Sequence, residues 1–107
     1  MKVVIPVSVG ELIDKITILE IKIDKLDGLH KKCAQAEYIS IAGLAPECPF
    51  RGLLKDINEK LWDAEEEVRS DLTLSRGDIP TLNDCRFLIK QAINGYHDSE
   101  IIEVKSY

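Results

Sequence analysis

The sequence predicts a mainly α-helical protein, either a helical hairpin or a small helical bundle, with a short two-stranded ribbon formed by its N- and C-terminal segments. Three observations predict this fold class. Apolar residues recur at steps of three and four along several stretches, which is the period of an amphipathic helix. A capping box opens the first of these stretches. β-branched residues cluster at both ends of the chain, where they favour strands.

Length and composition predict one domain over residues 1–107. Hydrophobic residues make up 45% of the chain and charged residues 31%, so the apolar material suffices for a core. The net charge of -5 and the absence of a basic run argue against nucleic-acid binding, since phosphate neutralisation needs clustered Lys and Arg. No stretch is long and apolar enough to cross a bilayer, so we expect no membrane partner.

The cysteines favour a cytoplasmic location. Cys33, Cys48 and Cys85 are odd in number and irregularly spaced, which does not match a secreted disulfide framework. His30 lies three residues before Cys33, but the paired spacing typical of a zinc site is missing. We therefore assign no metal ligands and expect no cofactor.

The first elements are marked by local signals. Residues 2–7 are rich in valine and isoleucine and predict a strand, which Pro6 restricts to a sheet edge because proline has no N–H for the ladder. Ser8 and Glu11 form a capping box that starts the first helix.

The apolar stripe of this first helix has a heptad pattern, with β-branched residues at position a and leucine at position d. Its members are Val9, Leu12, Ile16, Leu19, Ile23 and Leu26. In parallel coiled coils this choice favours two strands, so we expect a homodimer through the stripe. An intramolecular helix pair would use the same stripe, so both arrangements stay open. Ile18 and Ile21 look exposed and indicate that the helix is covered on more than one side.

The middle of the chain alternates between helical and loop patterns. Residues 29–42 predict a second helix, or a continuation of the first beyond a kink at Gly28. Residues 43–52 predict a loop, residues 53–72 a helix and residues 75–78 a turn.

The last helix is predicted over residues 81–94. Thr81 begins it as a weak capping-box analogue, and Gly95 ends it in the left-handed conformation. Residues 101–105 are again β-branched, and we expect them to pair with residues 2–7.

One face of the last helix is polar. It carries Asn83, Arg86, Lys90 and Asn94 at three-four spacing, opposite an apolar face that we expect to meet the core. Two cations flanked by two amides can hold a carboxylate or a phosphate. The simpler interpretation is a solvated face or a set of pairs to the acidic helices.

Acidic residues form the other candidate group. Glu20 falls inside the apolar arc of the first helix, where it is either a buried ligand contact or a carboxylate that reaches solvent or a lysine. Glu11 and Asp14, together with the acidic run at residues 63–67, have the oxygen ligands that Mg²⁺ prefers. Helical nucleotide pyrophosphatases use such acidic pairs, although this acidic run looks like a solvated helix face.

Two segments carry a resemblance. The stretch PVSVGELIDKITILEIK at residues 6–22 resembles the opening of a small bacterial and phage family, a domain of unknown function. The pattern NxxRxxxKxxIN at residues 83–94 is similar to its last helix, and ExKSY at residues 103–107 to its tail. The resemblance implies that the chain is one complete unit and supplies no activity. The polar positions in the matching segments are Glu11, Asp14, Glu20, Asn83, Arg86 and Lys90, which we take as candidate ligand-binding residues.

Taken together, these patterns favour an interaction or accessory module without catalysis of its own. We expect a homodimer, with a further protein as a possible partner. The alternative is a small metal-dependent or phosphate-handling enzyme that resembles the helical nucleotide pyrophosphatases. That alternative requires Glu11 and Asp14, with Glu66 as a further candidate, to converge with Arg86 and Lys90 on a cleft.

Overall fold

The computed structural model describes residues 1–71 and 77–102, which form a small helical bundle. Its helices are α1 (Val9–Lys25), α2 (Gly28–Ile41), α3 (Arg51–Ser70) and α4 (Ile79–Tyr96), and a 3-10 turn, Ala42–Leu44, follows α2. The mainly α-helical prediction is confirmed. A separate second helix after Gly28 is also confirmed, because Leu26 and Asp27 are extended and interrupt the helical backbone.

Helix α1 is the centre of the bundle and contacts α2, α3 and α4, while α3 and α4 also pack against each other. The innermost core joins Ile13 of α1, Leu54 of α3 and Ile93 of α4, each with 0% of its surface exposed. Helix α2 lies outside this group, packs chiefly against α1 and buries only Ala34. The chain is therefore a three-helix core with one helix added at its side.

The heptad stripe of α1 is used within the chain. Ile16 and Leu19 are buried against the other helices, and so is Ile21, which looked exposed from its position on the helical wheel. The suggestion that α1 is covered on more than one side is therefore correct, and segments of the same chain provide the cover. The other four residues of the stripe, Val9, Leu12, Ile23 and Leu26, are partly exposed.

The helix ends agree with the local signals in part. The Glu11 amide donates to Ser8 Oγ at 3.0 Å, as the capping box predicts. Thr81 is not a cap, because α4 begins at Ile79 and its N-cap residue, Asp78, makes no side-chain capping bond. Gly95 lies inside α4, and the left-handed backbone occurs three residues later at Asp98, with φ of 51°.

The predicted terminal ribbon is not supported. Residues 2–7 have no regular secondary structure, and no strand occurs anywhere in the described ranges. Part of the proposed partner, residues 103–105, lies outside them, as do residues 75 and 76 of the predicted turn. The β-branched composition favours extended backbone, but residues 2–7 make no backbone hydrogen bonds to the rest of the described chain.

None of the helices in residues 1–71 and 77–102 combines the length and the apolar character needed to span a bilayer.

Gly10 is where α1 and α4 come closest together. A Cβ at this position would lie 2.6 Å from the Lys90 carbonyl oxygen and 3.0 Å from Asn94 Oδ1. Because the nearer atom belongs to the backbone, α4 would have to move away from α1 to make room.

We therefore expect Gly10→Ala to lower the free energy of unfolding by about 1–3 kcal/mol, the usual cost of overpacking. Gly95→Ala is the matched control, since within the described residues no atom outside its chain neighbours and its own helix backbone lies within 4 Å of its Cβ position. This control should stabilise the protein by up to about 1 kcal/mol, because alanine is the better helix former. Urea unfolding of both variants measures the difference, and equal behaviour would contradict the close approach.

Candidate functional site

The candidate site centres on Asp14, a carboxylate in the second turn of α1 with only 1% of its surface exposed. Arg86 of α4 donates to it through two nitrogens: Nε to Oδ1 at 2.9 Å, and Nη2 to Oδ2. This two-point contact matches the planar guanidinium to the planar carboxylate, which fixes both groups in orientation. Asp14 and Arg86 are both among the predicted site residues, and the structure brings them into direct contact.

Helix α3 also reaches the Asp14 carboxylate, through Asn58. Asn58 Nδ2 donates to Asp14 Oδ1 at 2.9 Å and to Thr17 Oγ1 at 3.0 Å. Thr17 Oγ1 in turn donates to the Asp14 carbonyl at 2.8 Å. Since an ionised carboxylate only accepts hydrogen bonds, the atom of Asn58 that faces it is the amide nitrogen.

Lys90 adds a second cation to the cluster. Its residue is 5% exposed, and its ammonium lies 2.8 Å from Glu11 Oε2 and 3.9 Å from Asp14 Oδ2. Glu11 and Asp14 therefore face Arg86 and Lys90, two negative charges against two positive ones. Such a balanced group avoids the large cost of an isolated buried charge.

Part of the polar face of α4 packs against α1. The prediction that this face lies opposite the core is therefore wrong for the buried Lys90 and Asn94, whereas Asn83 is exposed as expected. On the apolar face of α4, Ile93 reaches the core with 0% of its surface exposed, but Leu88 and Tyr96 are each 61% exposed. The physical reason is Asp14: a buried carboxylate requires cations and amides from the helix that packs on it. The idea of pairs to an acidic helix is confirmed, with α1 as that helix.

The N-terminus of α1 is closed by side chains. The Val9 amide donates to Ser99 Oγ at 3.1 Å, and the Gly10 amide donates to Asn94 Oδ1 at 2.7 Å. With Ser8 on the Glu11 amide, three of the first helical donors have protein acceptors. The Glu11 side chain is paired with Lys90 rather than with the Ser8 amide, so the second half of the predicted capping box is replaced by an ion pair.

Glu20 lies apart from this cluster and has its own partners. Its carboxylate is 3.2 Å from Arg51 Nη2 and 4.0 Å from Lys55 Nζ, and the Tyr38 hydroxyl donates to it at 3.4 Å. Its side chain is 24% exposed. The simpler interpretation, a carboxylate at the margin of the stripe that reaches a cation, is the one that the geometry favours.

The hypothesis of a metal-dependent enzyme requires a cluster of ligand side chains. Within residues 1–71 and 77–102, no three His, Cys, Asp or Glu side chains come together in a way that would hold an ion. Asp14 is engaged by Arg86 and Asn58, and the carboxylates of Asp63, Glu66 and Glu67 are on exposed parts of α3. The expected convergence of acids and cations does occur, but the two sets neutralise each other.

Beside the ionic cluster lies a cavity of about 200 Å³ between α1, α3 and α4. Its wall is formed largely by Ile18, Ile21, Leu61 and Trp62, and its polar lining includes Asn83 and Arg86. Asn83 is exposed and is not part of the Asp14 contacts. Two of the predicted site residues thus meet at a small amphipathic cavity.

Asn58 and Thr17 were not singled out among the candidate site residues. A signal for Asn58 exists in the pattern of α3, because it interrupts the apolar stripe between Leu54 and Leu61, and an amide at a core position requires a polar partner. Thr17 next to Ile16 carries no comparable signal, since threonine is common on both buried and exposed helix faces.

Comparison of the chain with protein-family models, curated proteins and solved structures found no match.

Breaking the Arg86–Asp14 contact should strongly destabilise the protein. Arg86→Met removes the two-point partner of a carboxylate that is almost fully buried, and we expect a loss of about 3 kcal/mol in the free energy of unfolding. The control is Lys15→Met, which removes a pair to Glu37 whose side chains are 56% and 41% exposed. Exposed pairs contribute less than about 1 kcal/mol, so this control should have little effect. Chemical unfolding compares the two; an Arg86→Met loss no larger than that of the control would show that the cluster does not hold α4.

Proposed function

We propose that the protein is an interaction module without catalysis of its own, and that it works as a homodimer. One observation carries this proposal: the N-terminal segment, residues 2–7, is largely apolar, has no regular secondary structure and is exposed. Val3, Val4 and Ile5 have 79%, 90% and 68% of their surface in contact with solvent. Apolar side chains grouped in this way on a small protein are typical of a protein contact surface.

The surface around the segment extends this apolar character. A groove of about 600 Å³ lies where the segment passes α1 and α2, and its lining includes Leu12, Ile41 and Leu44. Leu44 is itself 69% exposed. A second chain that covered the N-terminal segment would therefore bury the rim of this groove as well.

A second copy of the chain is the partner that the backbone favours. Residues 2–7 have strong β propensity, yet none of their amides or carbonyls is paired with a backbone group in the described residues. Two identical segments related by a two-fold axis can pair in the antiparallel direction and satisfy each other's groups. The proposal thus gives the predicted strand a partner from another chain.

Proline fixes which edge of the segment would pair. In an antiparallel ladder, the N–H groups of alternate residues point to the partner strand. Pro6 has no N–H, so it belongs to the set that points to solvent, together with Val4. Val3, Ile5 and Val7 then belong to the set that faces the partner.

The enzymatic alternative has less support, because its residues are already engaged. The cations that would bind a phosphate, Arg86 and Lys90, are neutralised by Asp14 and Glu11. The acids that would bind a metal are the same two carboxylates. The free thiols of Cys33, Cys48 and Cys85 accord with the reducing conditions of the cytoplasm, where we propose that the module works.

The association is tested by light-scattering mass and a pair of proline variants. We expect wild type at twice the chain mass of 12.1 kDa. Val3→Pro removes an N–H that faces the partner and should yield the monomer, whereas Val4→Pro removes one that faces solvent and should leave the dimer. Both substitutions suit the extended backbone that the proposed pairing requires, since proline and the residue before it favour that region.

The masses of the wild-type chain and of the two proline variants distinguish the possible modes of association. A wild-type chain that is monomeric at every concentration would refute the homodimer. A dimer that both proline variants leave intact would place the contact on another surface. Thermal unfolding of the variants serves as the fold control, because residues 2–7 lie outside the buried core.

A further inference from the structure

The cavity between α1, α3 and α4 has the properties of a small-molecule site. Its volume of about 200 Å³ exceeds that of a benzene-binding protein cavity, which is about 150 Å³. Ile18 and Ile21 of α1 and Trp62 of α3 contribute apolar walls. Binding sites for small ligands combine such walls with a few polar groups in fixed positions.

Asn58 supplies one polar group in a fixed position. It lines the cavity and is 5% exposed, and its amide nitrogen makes both of its hydrogen bonds, to Asp14 and Thr17. Its carbonyl oxygen, Oδ1, therefore accepts no hydrogen bond from the part of the chain that the structure describes. Because Asp14 sets the direction of the amide, this acceptor cannot be exchanged for a donor by rotation of the side chain.

The charges around the cavity are balanced. Arg86, which lines it, is paired with Asp14, and Arg69, which also lines it, is paired with Glu66 at 3.2 Å. The carboxylate-bearing Glu65 belongs to the lining too. An anionic ligand would have to compete with these pairs, so the electrostatics favour an uncharged molecule.

We propose that this cavity binds an uncharged planar molecule of one or two rings whose N–H group donates to Asn58 Oδ1. Aromatic amides and small nitrogen heterocycles are the chemical class. The ring lies between the isoleucines of α1 and the indole of Trp62, and Asn83 at the exposed side of the cavity offers an amide for a second hydrogen bond. This site does not depend on the association of two chains.

Trp62 makes the test direct, because it is the only tryptophan of the chain. The probes are benzamide, methyl benzoate and benzoate, which have similar size but differ in donor capacity and charge. We expect benzamide to change the Trp62 fluorescence with saturation and a Kd of about 1 mM, a usual strength for so small a ligand. Methyl benzoate, which has no N–H, should bind at least tenfold more weakly, since it leaves Asn58 Oδ1 unpaired.

A cavity-filling variant provides the second arm of the test. Ile18→Phe places a larger side chain in the cavity wall and should abolish the benzamide signal. Ile39→Phe is the control, because Ile39 is 78% exposed on α2 and does not line the cavity. Urea unfolding verifies that both variants fold.

Several results would overturn the proposal. These are an absence of saturable binding, equal binding of benzamide and methyl benzoate, and unchanged benzamide binding by a folded Ile18→Phe. Tighter binding of benzoate than of benzamide would also overturn it, and would identify the cavity as an anion site governed by Arg86 and Arg69. If Ile18→Phe fails to fold, the relative affinities of the three probes for the wild-type chain still test the proposal.

Discussion

The arrangement of the bundle depends on one buried carboxylate. Asp14 lies in the second turn of α1, and its charge is enclosed by α3 and α4 rather than by water. A buried carboxylate requires hydrogen-bond donors and a positive charge close to it. Arg86 of α4 and Asn58 of α3 supply them. The rotation of α4 about its axis follows from this requirement, since the face with cations and amides must be the one that meets α1. The apolar core of Ile13, Leu54 and Ile93 lies beside these polar contacts.

The burial of Asp14 also explains why the residues that resemble a functional site in the sequence have a structural role in the bundle. Glu11, Asp14, Arg86 and Lys90 have the residue types of a catalytic cluster, but each charge faces its opposite within the protein. Their role in the bundle is to join α1 and α4. Exposed apolar surface and open space occur at the N-terminal segment, in the groove beside it, and in the cavity that Asn58 and Arg86 line next to the cluster.

Local patterns predicted the elements well and their orientation poorly. Ser8 correctly predicted the start of α1, because a capping hydrogen bond involves only neighbouring residues. Gly95 was wrong as the left-handed residue, since it lies within α4, which ends at the next residue, Tyr96, and the positive φ occurs at Asp98. The spacing of Arg86 and Lys90 correctly placed them on one face. A helical wheel cannot say which face meets another helix, and the answer here depended on the burial of Asp14, which only the assembled bundle reveals.

The peripheral position of α2 divides the chain into parts of unequal local stability. Helix α2 buries only Ala34, and its side-chain links to the rest include the exposed Lys15–Glu37 pair and the contact of Tyr38 with Glu20. None of the Asp14 contacts involves α2. Gly28, with φ of 59°, and the extended Asp27 join it to α1 through a short non-helical link. Helix α2 can therefore open as a separate unit while α1, α3 and α4 stay folded, and its backbone amides would be the first helical amides to exchange with solvent.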